Sequence, residues 1–175
     1  MVDSPEASLS RWVVIADAGP LLHLDELDAL DVLSDFPEIL IVPAVRDEIR
    51  QHRLELLMRC PSLTFTYSAP RDQAVDALAA LYTLHCGERE ALALCVQHKS
   101  ALFLTDDTAA RLAAKALQVD AHGTIGLLIR AARMQHRTAS DVIDLLKAIP
   151  QRSTLHVRPA FLAEVIEQVR HAWKL

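Results

Sequence analysis

Apolar positions along the chain alternate between two periods. Residues 12–16 (WVVIA) form a continuous apolar run with β-branched members, the pattern of a strand covered on both faces. Asp17-Ala18-Gly19-Pro20 follows, where Gly19 permits an unusual turn and Pro20 suits a first helical turn. Leu21, Leu24, Leu27 and Leu30 then recur at helical spacing and predict a helix to about Ser34, with Asp25, Glu26, Asp28 and Asp31 on its solvated face. Residues 38–42 (EILIV) predict a second strand, and Pro43 opens a helix through Val45 and Ile49 to about Met58. Residues 63–67 alternate as a short strand, and a helix starts at Pro70 with Val75, Leu78 and Leu81. Gly87 breaks the chain before a buried helix through Leu92, Leu94 and Val96.

The alternation continues to the end. Residues 101–104 (ALFL) predict a strand, and residues 105–108 start a helix carrying Leu112, Ala113 and Leu117. Residues 119–121 predict a short strand, and Gly123–Gly126 makes a tight turn into a helix over 127–134. A helix over 139–148 is stopped by Pro150, and a last one runs from Pro159 to about Trp173. Strands alternating with helices predict an α/β three-layer sandwich around a mainly parallel, Rossmann-like sheet, with a helix-rich C-terminus. We expect a tail over 1–11, one domain over 12–150, and a helical extension over 151–175 packed on that domain.

Composition narrows the function classes. The 175 residues are 51% hydrophobic and 23% charged, which suits one folded core. No apolar run approaches the ~18 residues of a membrane helix, and Asp3 and Glu6 leave no apolar region for a secretion signal. Three cysteines without a CxxC pair argue against a disulfide framework or zinc ribbon and for a reducing cytoplasm. Net charge is −5, unevenly spread. Residues 1–108 carry 8 Lys and Arg against 18 Asp and Glu, whereas residues 109–175 carry 10 against 5. An acidic half and a basic half are what a cation site beside a polyanion-binding rim would need, although uneven surface decoration gives the same count.

In parallel sheets, sites form outside the carboxyl ends of strands near a topological switch point. That rule selects Asp17 after the first strand, and Asp106 and Asp107 after the strand over 101–104. Each has an innocent use as a helix cap or turn former. Glu88 and Glu90 open another helix, and Glu48 lies one to two turns into the helix after the second strand. If these ends converge, several carboxylates share one pocket, and like charges raise each other's pKa unless a cation neutralises them. Mg2+ and Mn2+ prefer such oxygen donors, and with a polyanionic substrate the fitting chemistry is metal-assisted phosphodiester hydrolysis. A helix turns ~100° per residue. Spacing therefore leaves Glu88 or Glu90, and Asp106 or Asp107, open; we give first place to Glu88 and Asp106. There is no GxSxG elbow, no GxxxxGK[ST] loop and no GxGxxG. Arg130, Arg133 and Arg137 share one predicted helix face, and Arg111 and Lys115 share another; these are the candidate nucleic-acid contacts. Aromatics make up 5% of the chain, which argues against a groove built on stacked bases. His23 is read as a core or rim histidine, and the apolar face with Phe161, Leu162, Val165 and Val169 as a dimer surface.

The ordered motifs VVIADAGPLLHL, IVPAVRDEI, GEREALALC, LFLTDDTAARLAAKALQV and HGTIGLLIRA resemble a PIN domain, and more narrowly a prokaryotic PIN-like subfamily, over about residues 12–135. The resemblance implies a Mg2+- or Mn2+-dependent nuclease acting on RNA, often a toxin held by an antitoxin protein, and commonly a homodimer. It implies metal-binding acids at Asp17, Glu48, Glu88 or Glu90, and Asp106 or Asp107, with Thr105 as a supporting hydroxyl. Two departures stand out. Ala18 and Gly19 occupy positions where many such nucleases carry hydroxyl or amide residues, and glutamates stand where an aspartate is usual. These motivate the alternative of a catalytically inactive PIN-like module that binds RNA or protein.

Overall fold

A computed structural model describes residues 12–67, 71–98 and 100–174. The expected tail over 1–11 and the helix start at Pro70 lie outside the described residues. Five strands, β1 (Val13–Ala16), β2 (Ile39–Ile41), β3 (Leu63–Phe65), β4 (Ala101–Leu104) and β5 (Asp120–His122), form one all-parallel sheet in the order β3-β2-β1-β4-β5. The chain grows from β1 outward to β3, then returns to the other side of β1 with β4. That reversal puts the loops after β1 and β4 side by side. Helices cover the sheet, so β4 and all but the first residue of β1 are buried, while the edge strands β3 and β5 carry exposed positions.

The helices are α1 (Ala18–Glu26), α2 (Pro43–Arg53), α3 (Leu56–Arg59), α4 (Gln73–Tyr82), α5 (Cys86–Cys95), α6 (Thr108–Ala116), α7 (Thr124–Arg133), α8 (Ala139–Arg152) and α9 (Pro159–Trp173), with a 3-10 turn at Leu30–Leu33. The α/β sandwich expected from the pattern is the observed fold; several boundaries differ. The helix predicted to Ser34 ends at Glu26, because Asp28 enters the left-handed region (φ 54°) and the Ala29 N–H turns back to the Leu24 carbonyl at 2.8 Å. Thr83, Gln118 and Gln135 close α4, α6 and α7 in the same way, with φ of 57–61° and N–H groups returning to carbonyls five residues back. Such closures normally use glycine. The helix predicted from Pro43 to Met58 is interrupted after Arg53, and α7 starts at Thr124 rather than 127. Gly19 lies in the first turn of α1 without a positive φ. Pro150 does not stop α8, which continues to Arg152. Its missing N–H costs one bond to the Leu146 carbonyl, while Val142, Ile143, Leu146 and Ile149 keep the segment buried.

The C-terminal helices belong to the core. Leu162, Val165 and Val169 of α9 are buried within the chain, and α9 packs on α8, which packs on α7. Ser153 Oγ and the Thr154 N–H donate to the Glu26 carboxylate at 2.8 and 2.7 Å, tying the α8–α9 link to the end of α1. Burial alone would raise the Glu26 pKa; these bonds hold it below the usual range.

The left-handed closures give a clean test. A β-branched residue is the least suited to this region, where side chains cost ~1–2 kcal/mol relative to glycine. Thr83→Gly removes that strain at an exposed site and is expected to raise unfolding stability by about 1 kcal/mol, read from the urea midpoint at unchanged slope.

Candidate active site

Asp17 ends β1, and its N–H donates to the Leu104 carbonyl of β4 at 2.9 Å. It is the N-cap residue of α1, yet its side chain makes no cap bond. At 8% exposure it is one of few buried acids. Burial pushes its pKa up to about 7; the Ala18 N–H opposes this, and Glu88, Glu48 and Asp107 add to it. Asp17 thus bonds the adjacent Ala18 N–H but does not cap the helix that follows it.

Glu88 is buried in the first turn of α5, where its Oε2 accepts from the His85 N–H at 2.8 Å. Its pKa is raised by burial, with Asp107 and Glu48 adding to the effect and the His85 N–H opposing it. Gly87 makes the approach possible: a Cβ there would meet Val45 Cγ2 at 3.1 Å and lie 3.7 Å from Asp17 Oδ1. Asp107 is the N-cap of α6, and its Oδ1 accepts from the Ala110 N–H at 2.7 Å. Asp17 and Glu88 are buried while Glu48 and Asp107 are exposed, and the charges of the other three acids all act on Asp17. Thr105 is fully buried, and its hydroxyl accepts from the Asp107 N–H at 3.2 Å, shaping the turn.

The two open pairs separate. Asp106, given first place over Asp107 although spacing left the pair open, is engaged elsewhere: its Oδ1 accepts from the Thr124 N–H at 2.7 Å, and its Oδ2 lies 2.6 Å from Thr124 Oγ1 and 2.8 Å from His23 Nδ1. Gly123 is needed beside it, since a Cβ there would stand 2.5 Å from Asp106 Oδ1. Glu90 lies 3.6 Å from the Cys86 thiol and, like Asp106, is not among the main charges acting on Asp17. His23 thus touches the loop after β4, a contact its position on α1 hinted at; the role of Thr124 carried no sequence signal.

The arginines also divide. Arg130 pairs with Asp35 and lies over the Phe36 ring at 4.5 Å, so it serves the fold. Arg137 lies beyond the end of α7 and pairs with Asp31 at 2.5 Å. The shared face expected for Arg130, Arg133 and Arg137 is therefore absent. Arg111, Lys115 and Arg133 are exposed, with no ion-pair partner among the described residues.

The donors that converge are all carboxylate oxygens, the chemistry of Mg2+ or Mn2+. Among the described residues no three side chains stand in ligating range of one point. The set fits an ion held by one or two carboxylates and its own waters, the usual way Mg2+ is bound, rather than a cage of protein ligands.

Fold and site together define an α/β domain with an acidic centre at its switch point. A family model described as a PIN domain matches residues 13–171, and the chain belongs to the PIN-domain family, a nuclease-type fold whose members generally depend on divalent metal. No curated protein and no solved structure matches the chain. No helix among the described residues is long and apolar enough to cross a membrane.

A raised acid pKa stabilises the fold only while the group is protonated. The contribution is complete below the unfolded value near ~4 and is lost as pH rises through about 7. Metal-free Asp17→Asn keeps the shape without the charge. It is expected to melt above wild type at pH 8.5, by an amount on the order of a few kcal/mol, with the gap closing towards pH 5. Equal melting of the two proteins across that range would show that Asp17 is not held in the charge cluster.

Proposed function

We propose that this protein is a Mg2+- or Mn2+-dependent ribonuclease of the cytoplasm, with Asp17, Glu88, Asp107 and Glu48 as its acidic centre. The observation that carries the reading is Asp17: a buried acid, free of any cap bond, whose pKa is lifted to about 7 by burial and by three neighbouring carboxylates. Holding like charges together in this way is unfavourable for a protein with no use for the site. A bound divalent ion would supply charge neutralisation and Lewis-acid polarisation of a phosphodiester.

The chain's own residues divide the remaining work. Asp17 and Glu88, the buried pair, would hold the ion, and the exposed Asp107 and Glu48 would add negative charge beside it. Asp106 acts as a positioning residue, fixing the loop after β4 through Thr124 and His23. Thr105 sets the backbone that aims Asp107. A toxin role under an antitoxin, as a homodimer, is the setting that the prokaryotic resemblance suggests. The buried Leu162, Val165 and Val169 lend it no surface. One observation favours the second reading, an inactive RNA- or protein-binding module: no ready ligand triad among the described residues, alongside Ala18 and Gly19 after the first acid.

Incubation of wild type and variants with single-stranded RNA and Mn2+ separates the two readings. Wild type is expected to cut. Asp17→Asn and Asp107→Asn should lose more activity than the about 10–100-fold typical of an orienting residue, and Asp106→Asn should stay within that range. Mn2+ affinity by calorimetry should rise from pH 5.5 to pH 8, as Asp17 and Glu88 lose their protons. Wild-type protein that binds RNA but never cuts it under these conditions is the inactive module.

A further inference from the structure

Beyond Asp106 the surface falls into two adjoining hollows of about 590 and 770 Å3, which share Asp106, Thr108, Arg111 and Phe161. The first runs between α7, the link over 153–158 and the start of α9; the second runs along α6 towards the edge strand β5. The cleft therefore begins one residue from Asp107 of the acidic centre.

Three of its cations differ from several arginines elsewhere in the fold. Arg46, Arg53, Arg59 and Arg89 each face a carboxylate. Arg111, Lys115 and Arg158 line the cleft with no ion-pair partner among the described residues. Arg111 reaches the inner end: its Nη1 lies 3.2 Å from where a Cβ of Gly123 would be. The His122 pKa is lowered by burial and then by Arg111, Arg130 and Arg133, against Asp120. Phe161 stands on the wall shared by both hollows and is 47% exposed, although it belongs to a helix whose other large apolar side chains turn inward.

We propose that this cleft is a nucleotide subsite, in which Arg111, Lys115 and Arg158 hold backbone phosphates of an unpaired RNA strand entering the acidic centre while Phe161 stacks on one base. The inference rests on RNA as the substrate of the proposed function and adds where the strand lies. Each hollow falls within the about 300–1,000 Å3 of pockets that enclose a small molecule, the scale of a nucleotide or two. Bases stacked within a duplex present no face to Phe161, so the subsite selects unpaired strand, loop or end. Phosphate contacts and stacking read no particular base, which makes the subsite tolerant of sequence. The low aromatic content suggested that no stacking surface exists; one exposed ring beside three unpaired cations is sufficient for a single base.

The test is fluorescence anisotropy in EDTA, so that binding is read without cleavage. The probes are a short labelled single-stranded RNA and the same sequence as a duplex. Wild type is expected to prefer the single strand. Phe161→Ala, at a half-exposed site that leaves the fold intact by circular dichroism, should weaken single-strand binding about tenfold, and Phe161→Trp should restore it. Arg158→Ala should weaken it comparably and reduce the slope of log affinity against log salt by about 0.7, which Phe161→Ala should not. Wild-type affinity in both Phe161→Ala and Arg158→Ala would overturn the subsite and leave the cleft to a protein segment, even if Asp17-dependent cleavage persists. Loss of RNA binding in both variants, in a wild-type protein that never cuts, would keep the subsite and remove the nuclease.

Discussion

Asp17 is buried at the end of the central strand, among carboxylates that oppose its ionisation. The surrounding structure is arranged so that this cluster cannot disperse. β1 pairs with strands on both sides, and the Asp17 N–H is bound to β4, so its backbone is fixed. Glu88 and Asp107 each commit one carboxylate oxygen to a helix N-terminus, which stops either side chain from turning away. Their cap bonds are not an alternative to a role at the site. They place the second oxygen of each acid, and they bring two helix N-termini, where negative charge is favoured, to the same pocket. The result is strain of an electrostatic kind, stored where a cation would release it.

The switch point also explains why adjacent aspartates do different work. The loop after β4 faces two neighbours: the end of β1 on one side and the turn from β5 into α7 on the other. Asp107 caps its own helix through the Ala110 N–H, and its charge adds to the raised pKa of Asp17. Asp106 faces the second, bridging α1 through His23 and α7 through Thr124. Without a glycine at 123 the bridge would not close, because a side chain would occupy the place of the Asp106 oxygen. The acidic centre and the cationic cleft are thus joined through one rigid loop.

The fold was largely legible because its signals are periodic: buried apolar runs for β1 and β4, helical spacing between them. The failures have a common physical origin. Among the described residues five helix ends use Asp28, Thr83, Gln118, Gln135 and Lys174 in the left-handed region, and a chain with four glycines offers no glycine signal there. Pro150 misled in the opposite direction, since burial of Ile149 and its neighbours outweighs one lost hydrogen bond. At the site, the strand-end rule pointed to Asp17, Asp106 and Asp107, yet it could not orient their side chains. That Asp106 bonds Thr124 and His23 while Asp107 caps its own helix depends on β5 lying beside β4, which is tertiary information. Arg130 was misread for a related reason: its partner Asp35 sits ninety-five positions away.

The uneven charge of the chain acquires a meaning in this arrangement. The acidic N-terminal half supplies the buried acids of the centre and also the partners of Arg53, Arg59, Arg130 and Arg137, so much of its excess is used inside the fold. The basic C-terminal half supplies Arg111, Lys115 and Arg158, which have no such partners among the described residues. A net charge of −5 would repel RNA if it were spread evenly. Within about one Debye length, ~8 Å at physiological ionic strength, only the local balance matters. On the cleft side that balance is positive. At the carboxylates it is negative, and a phosphate can approach them only once a cation is present. Anion attraction and anion exclusion are therefore set side by side, on the two sides of the loop that carries Asp106 and Asp107.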